Sequence, residues 1–199
     1  MDKIIQASID RSVSYQEYRD LVKQLSDENS NSGIDKTESL ADYTKLNNKR
    51  MKRWDKTTKI SEQAKEKISS FSKSTTWLII TESWCGDAAH VIPVINKIAE
   101  LNSNINVKIV LRDDNLELMD MFLTNGGRAI AKVIMLNDET GEVISTYGPR
   151  PSEATNLVNE YKEKHGKLTP EFKEDLQQWY NKNKGQNIIE DMIAVLDQI

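Results

Sequence analysis

Trp77-Leu78-Ile79-Ile80-Thr81 is a short, continuous apolar run, the pattern of a strand buried on both faces. Cys85 follows almost at once, at the head of a helical stretch over 86–101. Ile105–Leu111 then places Ile, Val, Ile and Leu at every second position, which is the period of a strand. Two strands joined through a helix should run parallel with a right-handed crossover, so this stretch alone requires an α/β core.

The rest of the chain extends that core. Asn115–Leu123 reads as a short helix, ended by Asn125-Gly126-Gly127 as a left-handed cap. Lys132–Asn137 and Glu142–Tyr147 are strands separated by Asp138-Glu139-Thr140-Gly141, which is hairpin chemistry. A helix from Ser152 to near Gly166 completes the order β-α-β-α-β-β-α. Upstream, Ser14 and Glu17 open a helix over 14–25, the polar run SDENSNSG (26–33) reads as a linker with no buried face, and helices follow over about 37–55 and 61–72. Downstream, Thr169-Pro170 starts a helix that runs to about Lys184. Beyond Gly185, residues Ile188, Ile189, Met192, Val195, Leu196 and Ile199 form an apolar stripe expected to dock on the domain. The expected organisation is an N-terminal helical extension (1–71), a three-layer α/β/α domain (72–165) and a C-terminal helical extension (166–199).

Composition narrows the function classes. The 199 residues are 38% hydrophobic and 29% charged, as in a soluble globular protein. No run of about 18 apolar residues exists, so no membrane partner is expected, and the N-terminus lacks the pattern of a secretory signal. A single cysteine rules out an internal disulfide framework and fits a cytoplasmic location. Charge is uneven: residues 1–76 carry a balance of +3 and the remainder −7. The excess lies in Lys45–Lys59, where Trp54 offers a stacking platform for nucleic acid. The stronger reading is a packing helix with Leu40, Tyr43, Met51 and Trp54 near one face and solvated cations on the others, hence no nucleic acid.

The residues around Cys85 resemble the thioredoxin family. Trp84-Cys85-Gly86 stands between an apolar strand and a helix, and Pro93 lies eight residues after Cys85, where that family kinks its helix. VKIVLRDDN (107–115) resembles the next shared strand and turn, and GGRAIAKVIML (126–136) the loop and strand after it. The match covers about 72–165. Cys-Gly-Asp-Ala (85–88), Gly-Gly-Arg (126–128) and Gly-Pro-Arg-Pro (148–151) resemble a bacterial thioredoxin-like subgroup with helical extensions. Three positions depart from the family: Ala88 replaces the resolving cysteine, Ile79 a buried aspartate, and Ala131 the proline that shapes the substrate groove. With alanine there, the Ile130–Ala131 bond is expected to be trans and the Gly126–Ala131 loop displaced.

The resemblance implies a site at Cys85, flanked by Trp84, Gly86, Asp87, Ala88, Ile130 and Ala131. A thiol at a helix start faces free N–H groups that stabilise its thiolate, while Asp87 opposes them. Cys85 is expected to be partly exposed and to alkylate faster than a free thiol. It would then exchange with the disulfide of a low-molecular-weight thiol or of a protein, needing a second thiol for release. Arg128 and Arg150 are candidates to hold a carboxylate of such a thiol. Cys85, His90 and His165 make a poor metal set, so neither metal nor cofactor is expected. The alternative is a non-catalytic module that binds a protein or peptide in the groove beside Cys85.

Overall fold

In the computed structural model, which describes residues 1–199 throughout, the chain opens on a helix that the residue pattern did not announce. The Asp2 carboxylate accepts hydrogen bonds from the Ile4 and Ile5 N–H groups and starts α1 (Lys3–Asp10), which buries Ile5 and Ser8. Ser14 and Glu17 form the expected capping box at the head of α2 (Tyr15–Asp27). The hydroxyls of Thr37 and Ser61 cap α3 (Glu38–Thr57) and α4 (Glu62–Ser70). The face that α3 buries differs from the expected apolar one. Ala41, Thr44, Asn47, Met51 and Trp54 are inside, whereas Leu40 is half-buried and Tyr43 is exposed. Thr44 and Asn47 face inward because both find polar partners at the site.

Strand β1 (Thr75–Thr81) is buried at every position, as its unbroken apolar run requires. Helix α5 (Gly86–Ala99) connects it to β2 (Ile105–Leu111), which pairs with β1 in parallel. After α6 (Leu116–Met121), β3 (Lys132–Asn137) pairs antiparallel with the other edge of β1, and β4 (Val143–Tyr147) with β3. The sheet order is thus β2-β1-β3-β4, with β1 flanked on both sides. Helix α6 ends earlier than expected, at Phe122. Asn125 and Gly126 have φ of 51° and 75°, and Thr124 and Gly127 exchange backbone hydrogen bonds across them. They form a two-residue turn rather than the expected helix cap.

Helices α7 (Ser152–His165), α8 (Pro170–Asn183) and α9 (Gln186–Leu196) complete the chain. In α9, Ile188, Ile189, Met192 and Leu196 are buried, and the helix packs on α5 and α4. The apolar core is continuous through all of this, taking in Tyr18, Met51, Trp54 and Ile68 from the N-terminal helices and Ile188 from the last one. Each such side chain contributes roughly 1.5–3 kcal/mol by leaving water. The long extensions are therefore built into the fold. No helix is long and apolar enough to cross a membrane.

The Ile130–Ala131 bond is cis, which overturns the expected trans form. Ala131 is fully buried, and its carbonyl lies so close to Gly148 that a Cβ there would stand 2.3 Å from the oxygen.

Candidate functional site

Cys85 is the N-cap of α5 and lies where β1 hands over to that helix. It is not partly exposed as expected: only 8% of its surface is accessible, and its Sγ–H donates to the Ile130 carbonyl at 3.2 Å. Burial, followed by the charge of Asp87, pushes the thiol up to about 12. The N–H groups of Ala88 and Asp87 and the Arg150 guanidinium pull the other way without compensating. Helix-end stabilisation is worth at most about 2 kcal/mol, and removing an ion from water costs more than that. Burial and Asp87 therefore favour the neutral thiol, against the helix-start effect that argues for a thiolate. Ala88, at the position of a resolving cysteine, is 1% exposed.

Asp87 does not face open solvent. Its carboxylate takes the Arg150 guanidinium at 2.7 Å on one oxygen and the Tyr180 hydroxyl at 3.0 Å on the other. Burial raises its pKa, while Arg150 and Tyr180 oppose that rise. Arg150 thus joins the site as expected, but as the partner of Asp87 rather than as a free cation. Arg128 does not join it: its guanidinium holds Asp120 through two bonds of 2.6 and 2.7 Å. One turn further along α5, His90 is 1% exposed. Trp54 donates its Nε1–H to His90 Nδ1 at 2.8 Å, so the neutral ring carries its proton on Nε2 and donates it to Gln177 Oε1 at 2.7 Å. The Tyr180 ring stacks on it, centroids 4.3 Å apart and planes 3° from parallel. Trp54, spent in this way, is no stacking platform for a base. Arg50, from the basic stretch of α3, reaches the start of α5, 3.6 Å from where a Cβ on Gly86 would be.

The polar run 26–33 is also not the solvated linker it reads as. Asn31 and Gly33 are buried, and Ser32 bonds the loop ahead of Cys85. Its N–H donates to Ser83 Oγ at 2.9 Å, its Oγ accepts from the Ser83 N–H at 2.8 Å, and it also donates to the buried Glu82 carboxylate. Burial raises the Glu82 pKa, opposed by the hydrogen bonds from Ser32 and the Asp113 N–H. Thr44 and Asn47 complete this network, at Ser83 Oγ (2.9 Å) and the Ser83 carbonyl (2.8 Å). Trp84 is half-buried under the Arg112 guanidinium, 4.9 Å from its ring. Gly33 closes on the indole so tightly that a Cβ would sit 2.7 Å from Nε1. Gly33→Ala should therefore lift the loop off Trp84, costing about 1–3 kcal/mol in overpacking. A shift of Trp84 emission toward the red, with a lower urea midpoint, is the expected result; unchanged values would mean that the loop does not seal the indole.

Residue reading missed Glu82, Ser32, Thr44, Asn47, Gln177 and Tyr180 as parts of this site. The capping residues and the Cys85–Pro93 spacing are local, whereas Ser32–Glu82 and Asp87–Tyr180 are separated by 50 and 93 positions. No short-range pattern signals such pairs.

A protein-family model described as thioredoxin matches residues 33–162. Among solved structures, a protein of unknown function from Pseudomonas aeruginosa superposes with a TM-score of 0.61 at 15% identity, over 93% of this chain and 98% of that one. An HIV epitope scaffold gives a TM-score of 0.61 at 14% identity, over 94% of this chain and 99% of that one. At such identities these two share the fold alone. No curated protein matches the chain.

Proposed function

The chain belongs to the thioredoxin family, and from that premise we propose that it is a non-catalytic module that binds a peptide or protein partner in the groove beside Cys85. The observation that carries this reading is the thiol itself: 8% accessible, bonded to the Ile130 carbonyl, and held neutral by burial and by Asp87. A thiol–disulfide enzyme needs a thiolate to attack and a second thiol to resolve. The first is disfavoured by burial, and with Ala88 in place of a resolving cysteine the second would have to come from outside the chain. Ile79, fully buried in β1, stands where the resemblance to the family would place a proton-moving aspartate. On the segment leading to the loop that carries Ile130, Met121 and Leu123 are 44% and 40% exposed. Neighbouring exposed apolar side chains of this kind suit a docking rim.

Monothiol exchange with a low-molecular-weight thiol is the second reading. It is favoured by the Asp87 and Ala88 N–H groups and by Arg150, all of which stabilise negative charge on the sulfur. Cys85→Ser separates the two. In a peptide-library screen followed by NMR, binders should shift the amides of 84–86 and 129–131 equally in wild type and Cys85→Ser. Loss of every binder in Cys85→Ser, or a mixed disulfide with glutathione forming readily at pH 7, would overturn the binding reading in favour of exchange.

A further inference from the structure

We propose that α8 is a hinged cover over the N-terminal end of α5, occupying a face next to Cys85 from which a partner displaces it. The proposal deepens the partner-binding reading and rests on it. Of the 14 residues of α8, only Leu176 and Tyr180 are buried. The next helix, α9, buries Asn187, Ile188, Ile189, Met192 and Leu196 in 11 residues and is fixed against α5 and α4. Between the two stand Lys184 and Gly185 with φ of 55° and 78°, and Gly166, before α8, has φ of 74°. A weakly buried helix thus lies between left-handed joints, with a firmly seated one beyond. Segments with so little apolar burial open locally at a small fraction of the global free energy.

Leu176 and Tyr180 reach the core and Phe172 and Trp179 pack against its edge, and the contacts that tie α8 to the start of α5 are polar and specific. Tyr180 donates to Asp87 at 3.0 Å and stacks on His90, Gln177 Oε1 accepts from His90 Nε2–H at 2.7 Å, and Asn181 accepts from Arg53 at 2.5 Å. Lifting the helix uncovers the Asp87 carboxylate, the His90 N–H and the Arg150 guanidinium, whose Nε already lacks a partner. Buried groups left unpaired must be satisfied again. The displaced side chains therefore describe the partner: a helical segment with an aromatic hydroxyl one turn after a side-chain amide, repeating the Gln177–Tyr180 spacing.

Hydrogen exchange on the full chain tests this without any partner. The amides of 172–183 should exchange at least about a hundredfold faster than the slowest amides of α5 and β1. Tyr180→Phe and Gln177→Leu should each speed the α8 amides about a further tenfold, since each removes a hydrogen bond to a polar buried group. Ser14→Ala, which breaks the distant capping box of α2, should not do so. Protection of α8 equal to that of α5, or an effect of Tyr180→Phe on α8 no larger than that of Ser14→Ala, would overturn the cover. Either result leaves the groove-binding test with Cys85→Ser untouched, and failure of that test leaves the exchange result standing.

Discussion

At pH 7, Cys85 is expected to react with iodoacetamide about a hundredfold more slowly than a free cysteine, and Asp87→Asn to react about tenfold faster than the wild type, which recovers about one of those two decades. With the thiol at about 12 against about 8.5 for free cysteine, the thiolate fraction falls by roughly 3.5 decades. A more basic thiolate is a better nucleophile, and a Brønsted coefficient of about 0.45 returns roughly 1.6 decades. About two decades remain before any steric shielding by the buried site. Asp87 is the second cause of the raised pKa, and Arg150, freed of its partner, becomes a stronger counter-charge. A unit charge about 6 Å away at an effective dielectric near 20 is worth roughly 2.8 kcal/mol, or about 2 pKa units. Of the two decades of thiolate gained, nucleophilicity takes back about one, which leaves the tenfold. Burial is unchanged, so the midpoint stays above that of free cysteine. Alkylation followed by mass spectrometry from pH 6 to 11 measures both. A wild-type midpoint below about 8, or an Asp87→Asn midpoint that moves up, would show that burial and Asp87 do not govern this thiol.

The contrast between Cys85 and its surroundings shows which parts of this molecule were legible in the residues. The β1–α5–β2 unit was, because an apolar run, a helix start and a period-two strand are each local, and Pro93 adds a spacing. Ser14–Glu17 and Thr169-Pro170 were legible for the same reason, since a cap acts over three residues. The state of the thiol was not. Its position at a helix start argues for a thiolate, but the dominant factor is burial by elements far off in sequence. The run 26–33 misled because serine and asparagine read as solvated unless their partners are known, and Ser32 has its partners at Glu82 and Ser83. Thr44 and Asn47 break the apolar stripe of α3 for that reason too, so periodicity placed its buried face off-centre. Helix α8 has an ordinary amphipathic sequence, and nothing in it announces that Tyr180 and Gln177 meet Asp87 and His90.

Acidification from pH 6.5 to 5 should destabilise the wild-type protein by about 2 kcal/mol, and His90→Gln should remove most of that slope. Burial holds the His90 pKa down at about 3, against an ordinary value of 6.5, with the Gln177 hydrogen bond opposing. Between those two values the unfolded chain binds a proton at His90 that the folded chain refuses. Stability from this group is therefore complete above pH 6.5 and is lost as pH falls toward about 3. At about 1.36 kcal/mol per pH unit, the whole window is worth roughly 4–5 kcal/mol, a large share of a typical 5–15 kcal/mol. Asp87 and Glu82 act with the opposite sign. Burial raises their folded-state pKa values, so the folded chain binds protons more readily there, and acidification through their range favours folding. Those carboxylates therefore offset part of the histidine effect in the wild type, and comparison with His90→Gln, which keeps both of them, isolates the contribution of His90. Protonation must also break the bond that Trp54 Nε1–H donates to Nδ1, since that nitrogen would then carry its own proton. Urea unfolding at pH 7, 6 and 5 measures the slope in both proteins. His90→Gln will start less stable, because it loses the stacking on Tyr180, but its midpoint should change little with pH. Parallel slopes in the two proteins, or a flat wild type, would mean that His90 takes up its proton in the folded state through an opening of the Trp54–Gln177 clamp.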